Sequence, residues 1–283
     1  MRATNLASFF SSHPGAIVAE LSSVRGSSPR EAGAFMVVAE GAMVGAIGGG
    51  ALEHMVVLRA RQALRDGLPP DVLDVPLGPE IGQCCGGRVE VALRVLTPEL
   101  AETLGARLRA TEAGWPHVHV FGSGHVGKAL ARALVPLPLN LHVIDTRPDE
   151  LHDLPEEVEA KAVPMPEAVV RAAPRGSGYA ILTHDHALDF LIAAEALKRA
   201  DSPYVGMVGS RTKRARFASW YRAEGGSEAA LGRLVLPIGA LGLADKRPEV
   251  IAALAAAEIM VKMGRGEAAD MHNSETIPGV AVD

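Results

Sequence analysis

The sequence predicts an α/β protein of two domains: a small N-terminal α/β domain over 1–113, followed by a C-terminal domain over 117–283 built on a mainly parallel sheet. Three observations predict it. Val118 to Asp145 reads as strand, glycine turn, helix and second strand, the opening unit of a parallel βαβ sheet. Tyr179 to Thr183 and Tyr204 to Val208 are compact β-type runs that each lead into a helical pattern, the alternation that parallel sheets require. Between the halves, Gly114-Trp115-Pro116 interrupts any regular element.

Length and composition agree with this reading and exclude others. A chain of 283 residues is long enough for two cores. With 48% apolar, 22% charged and only 4% aromatic residues, it is an ordinary globular composition resting on Ala, Val and Leu. The net charge of −5 supplies no positive field to hold a polyanion, so nucleic acid is not an expected partner. The opening residues carry no apolar run of signal-peptide length, and no stretch approaches the ~20 apolar residues of a membrane span. A cytoplasmic protein is therefore expected. The two cysteines, Cys84 and Cys85, are adjacent, so they cannot staple distant segments, and a bridge between neighbours would be strained; they are expected to be thiols.

Taken in order, Ala16 to Val24 is a first strand and Gly26 to Gly33 a loop rich in turn residues. Phe35 to Ala39 and Met43 to Ile47 form a hairpin. Gly48-Gly49-Gly50 then opens a helix that Gly67 stops. Three glycines at a helix N-terminus form a candidate anion cradle; a strand-to-helix turn needing positive φ accounts for one or two of them equally well. Asp71 to Pro76 is another strand, Pro79 to Gly87 a loop, and the run from Arg88 to Leu96 a strand of alternating character. Glu99 to Glu112 is a helix. After Asp145, four prolines mark an irregular region with short structured pieces. Val250 to Met263 is an Ala-rich helix suited to close packing, and the polar tail beyond Gly264 is expected to fray.

The candidate site residues follow from these elements. Gly122 makes the tight turn, Gly124 lets a pyrophosphate approach the backbone, and Gly127 lets helix and strand pack closely. Asp145 closes the second strand, where a carboxylate accepts a ribose hydroxyl; a fold of this type that has lost or changed its ligand gives the same pattern. Cys84 and Cys85 sit in a glycine-flanked loop, a setting for an accessible thiolate acting as nucleophile, sulfur carrier or soft-metal ligand. Thr183-His184-Asp185-His186 lies at the C-terminal end of a strand. There Asp185 is placed as a helix N-cap, and the flanking histidines are placed to ligate metal or donate to an oxyanion. Arg211, Lys213, Arg214 and Arg216 crowd the start of the next helix, against its dipole, which a phosphate or acidic partner explains better than stability does, a solvated face being the alternative.

Taken together, R-G-S-S-P-R-E-A-G-A, A-I-G-G-G-A-L-E, G-Q-C-C-G-G, F-G-S-G-H-V-G-K-A-L, T-H-D-H-A-L-D, G-M-V-G-S-R-T-K-R and P-I-G, in this order over nearly the whole chain, resemble the xanthine dehydrogenase accessory protein family of the XdhC and CoxI type. The resemblance implies an N-terminal domain carrying the G-G-G and C-C-G-G motifs, joined to a C-terminal Rossmann-like domain. It implies a chaperone rather than an enzyme: a protein that binds molybdenum cofactor, favours its sulfurated form through a cysteine desulfurase, and delivers it to apo xanthine dehydrogenase, as a homodimer. Of the two cysteines it favours Cys85, next to Gly86, as thiolate to molybdenum. Gly48, Gly49, Gly50, Gly122, Gly124, Gly127, Asp145, His184 and Arg211 are the other expected cofactor-binding residues, with room for a nucleotide at the Rossmann turn. The competing expectation is an NAD(P)-dependent oxidoreductase using the same glycine turn and Asp145, with His184 or His186 as proton donor.

Overall fold

The computed structural model describes residues 1–67, 71–81, 86–240, 242–243 and 245–274, with the backbone alone at 80 and 265–274. It divides into two compact units, Met1–Glu112 and Ala113–Asp283.

The first unit holds five antiparallel strands: β1 (Ile17–Arg25), β2 (Phe35–Val38), β3 (Met43–Gly45), β4 (Val72–Pro76) and β5 (Arg88–Val95), in the order β3-β2-β1-β5-β4. The near-continuous apolar run of β1 reflects burial of both its faces. On one face Ile17, Ala19 and Leu21 meet Leu52, Val56 and Ala60 of α2 (Gly50–Asp66). On the other, Val18 packs with Leu6 of α1 (Ala3–Ser12) and Leu104 of α3 (Pro98–Ala113). Helix α1 is not anticipated by the sequence reading; Leu6, 1% exposed, with Phe9 and Phe10 packed against the same cluster, anchors a helix too short to stand alone.

The second unit is a six-stranded parallel sheet, β11-β10-β9-β6-β7-β8, with the strand order of a doubly wound dinucleotide fold. Its strands are β6 (His117–Phe121), β7 (Asn140–Asp145), β8 (Glu159–Ala162), β9 (Gly178–Ile181), β10 (Val205–Met207) and β11 (Leu234–Val235). Helices α4 (His125–Leu134) and α9 (Pro248–Ser274) cover one face, over Val118, Val120 and Val143. Helices α5 (Pro166–Ala172), α6 (His186–Lys198), α7 (Arg211–Ala223) and α8 (Glu228–Gly232) cover the other, over Phe121, Ile144, Tyr179 and Met207. All strands run the same way, so every strand-to-helix loop of this unit that bears a candidate residue emerges on one edge.

Helix α9 departs from expectation twice. It continues to Ser274, where a frayed tail is expected after Gly264, because a helix already nucleated extends at the cost of one residue per hydrogen bond. Its alanine face is no free packing surface either: Ala252, Ala255, Ala256, Ile259 and Met263 are buried in the core beside α4 residues Leu130 and Leu134. That face is therefore not open to pack against a second copy of the chain, as a homodimer through it would need.

The face under α5 and α6 also buries an unusual polar group. His119, 4% exposed, lies stacked 4.5 Å from His142 and 5.6 Å from Tyr179, and neither ring nitrogen has a hydrogen-bond partner among the described residues. Burial, reinforced by His142, His117 and Arg199 and opposed only by Glu159, pulls its pKa down to about 3. The folded state thus keeps His119 neutral while the unfolded chain protonates near pH 6.5, so this contribution to stability is present above pH 6.5 and is lost as pH falls toward 3. We expect His119→Phe to lose about 3 kcal/mol less stability than the parent between pH 7 and pH 4, measured by urea unfolding at both pH values. Equal losses in the two proteins would show that another group governs acid unfolding.

Candidate anion-binding site

The chain leaves β6 at Phe121 and enters α4 at His125 through Gly122-Ser123-Gly124. Gly122 takes φ +104°, and a Cβ there would stand 2.3 Å from the Leu182 carbonyl oxygen. At Gly127 a Cβ would stand 1.9 Å from the Gly122 carbonyl oxygen. Both glycines are demanded by the chain's own backbone. Gly124, the N-cap of α4, differs: a Cβ there would meet nothing within 4 Å. The first N–H groups of α4 have no acceptor within the helix, and its dipole sets partial positive charge beside this open space. The arrangement fits the anionic group of a ligand.

Asp145, 4% exposed, stands at the end of β7 beside this turn. Its Oδ2 accepts from the Ser123 N–H at 2.8 Å and from Arg147 Nη2 at 3.2 Å, and its Oδ1 from the Arg147 N–H at 3.0 Å and Arg147 Nε at 3.1 Å. A carboxylate has about four lone-pair sites, so donors of the chain itself meet all of them. Burial alone would raise its pKa; the Arg147 guanidinium and the two backbone N–H groups outweigh burial and hold the carboxyl below the usual carboxylate range. Asp145 thus ties the glycine turn to β7, and no lone pair is left for a ribose hydroxyl. Ser123 and Arg147 are contacts that the glycine pattern alone does not reveal, although Arg147 stands only two residues beyond Asp145.

The loops after β9 and β10 reach the same edge. Asp185 caps α6, accepting from the Ala187 N–H at 2.7 Å and the Leu188 N–H at 3.5 Å. His184 and His186 beside it are exposed and make no side-chain hydrogen bond among the described residues. Ser210 caps α7, accepting from the Lys213 N–H at 3.2 Å. Two of the four cations at the start of α7 serve the fold, which corrects the expectation that a partner anion accounts for all of them. Lys213 Nζ pairs with the fully buried Asp189 and donates to the Val208 carbonyl at 2.9 Å. Arg214 Nη1 donates to the carbonyls of Leu234 and Leu236 at 3.0 and 3.2 Å. Arg211 and Arg216 are exposed, with no such partner among the described residues. The Asp189–Lys213 pair escapes the sequence reading; its signal is one acid inside the apolar run A-L-D-F-L-I-A-A.

Gly122, Gly124, Gly127, Asp145, His184 and Arg211 thus come to one edge of the second unit. Gly48, Gly49 and Gly50 belong to the first unit, at the start of α2, where Gly49 is the N-cap. There the chain supplies a carboxylate of its own: Glu53 Oε1 accepts from the N–H groups of Ile47 at 3.1 Å and Gly48 at 3.2 Å. Cys84 and Cys85 lie outside the described residues. The exit of their loop is described, and it is held tightly: Gly86 N–H donates to Leu77 O at 2.9 Å, and a Cβ on Gly87 would stand 2.1 Å from Ser27 O. The C-C-G-G stretch therefore ends against the Gly26 to Gly33 loop. Among the described residues no group of three or more His, Cys, Asp or Glu side chains could hold a metal ion. No helix among them is long and apolar enough to cross a membrane.

A doubly wound sheet with a glycine turn and an open helix N-terminus at its carboxyl edge defines a Rossmann-type domain. The family comparison is more specific. The model of the XdhC Rossmann domain matches residues 118–259 and that of the XdhC and CoxI family matches residues 11–75; the chain belongs to the XdhC and CoxI family. It is 27% identical over 253 residues to the uncharacterized protein YqeB of Escherichia coli (strain K12), a match covering 86% of this chain and 42% of YqeB, so the chain spans less than half the length of that relative. A crystal structure described as a xanthine dehydrogenase from Bacillus halodurans has the same fold, with a TM-score of 0.68 at 19% identity over 94% of this chain and 96% of that one.

Proposed function

We propose that this protein acts in the maturation of xanthine dehydrogenase as a molybdenum cofactor chaperone, an accessory protein rather than an enzyme. It holds the cofactor, supports its sulfuration by a cysteine desulfurase, and hands it to the apoenzyme. The observation that carries this reading is the family match in both halves of the chain. The second unit adds a physical fit: the open space at Gly124 over the N-terminus of α4 suits the terminal phosphate of a pyranopterin. Cys85 is the thiolate proposed to meet molybdenum, a metal that favours soft sulfur. The nicotinamide oxidoreductase reading is the weaker one, because Asp145 has no acceptor site left for a ribose hydroxyl.

Purification from cells that make the cofactor tests the reading. Molybdenum and pterin fluorescence are expected to travel with the protein, and NAD(H) is expected not to bind at the glycine turn. Cys85→Ala is expected to lower reconstitution of apo xanthine dehydrogenase about tenfold or more, with Cys84→Ala doing less, while thermal melts of both variants match the parent. Undiminished delivery by the folded double Ala variant would show that neither thiol takes part, and protein free of molybdenum and pterin would remove the chaperone reading itself.

A further inference from the structure

Helices α6 and α7 begin at the carboxyl ends of β9 and β10, and between them lies a cleft of about 520 Å³, within the size range of small-molecule sites. None of its lining residues belongs to the glycine turn. One wall is aromatic and apolar. Phe190 and Trp220 stand 5.5 Å apart, and the buried Phe217 braces both from behind, edge-on to Phe190 at 5.1 Å and 5.9 Å from Trp220. Leu191, 50% exposed, continues this wall into solvent. Among the described residues, the ionisable groups on the cleft are His186, Lys213 and Arg216, and no carboxylate lines it. Lys213 is already neutralised by Asp189, whereas the exposed Arg216 guanidinium has no partner among the described residues. A rigid aromatic wall beside an uncompensated cation recognises a flat ring that carries negative charge.

We propose that the α6–α7 cleft binds a planar heteroaromatic molecule bearing an anionic group, at a site separate from the glycine turn. The ring lies along Trp220 and Phe190, and the anion meets Arg216 and His186. The proposal stands on the cleft's own walls and does not depend on the maturation role. Two sources share this chemistry, a pterin and a purine nucleotide.

Trp115 and Trp220 are the two tryptophans, so Trp115→Phe leaves Trp220 as sole reporter. Titration of that full-length variant with 6-carboxypterin and, separately, with GMP is expected to quench Trp220 fluorescence saturably at micromolar concentration. Quenching by the pterin alone assigns a pterin-type ring, by GMP alone a purine nucleotide, and by both a general heteroaromatic anion. Arg216→Glu is expected to weaken binding about tenfold or more, with Arg216→Gln intermediate, because a charge-assisted hydrogen bond is lost. Both changes lie on an exposed helical position and are expected to leave the fold intact, as thermal melts will check. Gly124→Ala, which alters the glycine turn only, is expected to leave the titration unchanged. The proposal fails if neither probe quenches saturably, if both Arg216 variants titrate like the parent, or if Gly124→Ala abolishes the signal.

Discussion

Gly127→Ala is expected to unfold the second unit, while Gly124→Ala, three residues earlier, is expected to fold and to weaken anion binding at the turn. The two positions look alike in the glycine pattern but differ in what surrounds them. A methyl at Gly127 would sit 1.9 Å from the Gly122 carbonyl oxygen, and that backbone is itself pinned, since Gly122 N–H donates to Ile144 O at 2.7 Å. Neither partner can move without breaking the β6–β7 pairing or the entry into α4, so a cost of about 4 kcal/mol or more is expected, a large part of the stability of an ordinary domain. At Gly124 the methyl enters open space at φ −72°, an ordinary value for Ala, and the loss stays within about 1 kcal/mol for an Ala at an N-cap. Circular dichroism melts of the full chain, with proteolysis beyond Ala113 as the local readout, separate the two outcomes. A Gly127→Ala protein that melts like the parent would mean that the turn can open, and the assignment of Gly127 to the fold would fall.

Asp189→Ala is expected to cost about 3–5 kcal/mol, because it strands a buried ammonium. Asp189 is 0% exposed and Lys213 8%; among the described residues Lys213 Nζ has, besides Asp189, only the Val208 carbonyl. The same carboxylate accepts from the Thr183 N–H at 3.0 Å and the Thr183 hydroxyl at 2.7 Å, so its removal also frees the loop that carries His184. Replacing both partners by apolar residues, Asp189→Leu with Lys213→Met, removes the stranded charge and is expected to recover much of the loss. Urea unfolding of Asp189→Leu, Lys213→Met and the double variant forms the cycle, with Asp189→Ala measured beside it. If Asp189→Ala stayed within about 1 kcal/mol of the parent, water would have to reach Lys213, and the pair would not be the link between the loops after β9 and β10.

The hairpin of β2 and β3, the helix ended by Gly67, the βαβ unit from β6 to β7 and the cap at Asp185 are all legible in the sequence, since each rests on a period or on a turn residue read within a few positions. Helix α1 and the last ten residues of α9 are not. The first depends on Leu6, Phe9 and Phe10 finding a distant sheet, and the second on a polar stretch inheriting a helix begun far upstream.

Within the site the boundary falls in a similar place. The sequence by itself determined which residues come to the carboxyl edge, because a glycine turn after a parallel strand, or a T-H-D-H after another, must emerge there once every crossover has the same hand. It could not say which of them are free to act. That was decided by the tertiary structure, through donors and acceptors up to dozens of positions apart: Ser123 on Asp145, Lys213 on Asp189, the carbonyls of Leu234 and Leu236 on Arg214. A buried polar group takes whatever partner the packing brings within about 3 Å, and that distance is set by how helices and strands from different parts of the chain are stacked, which no local period encodes.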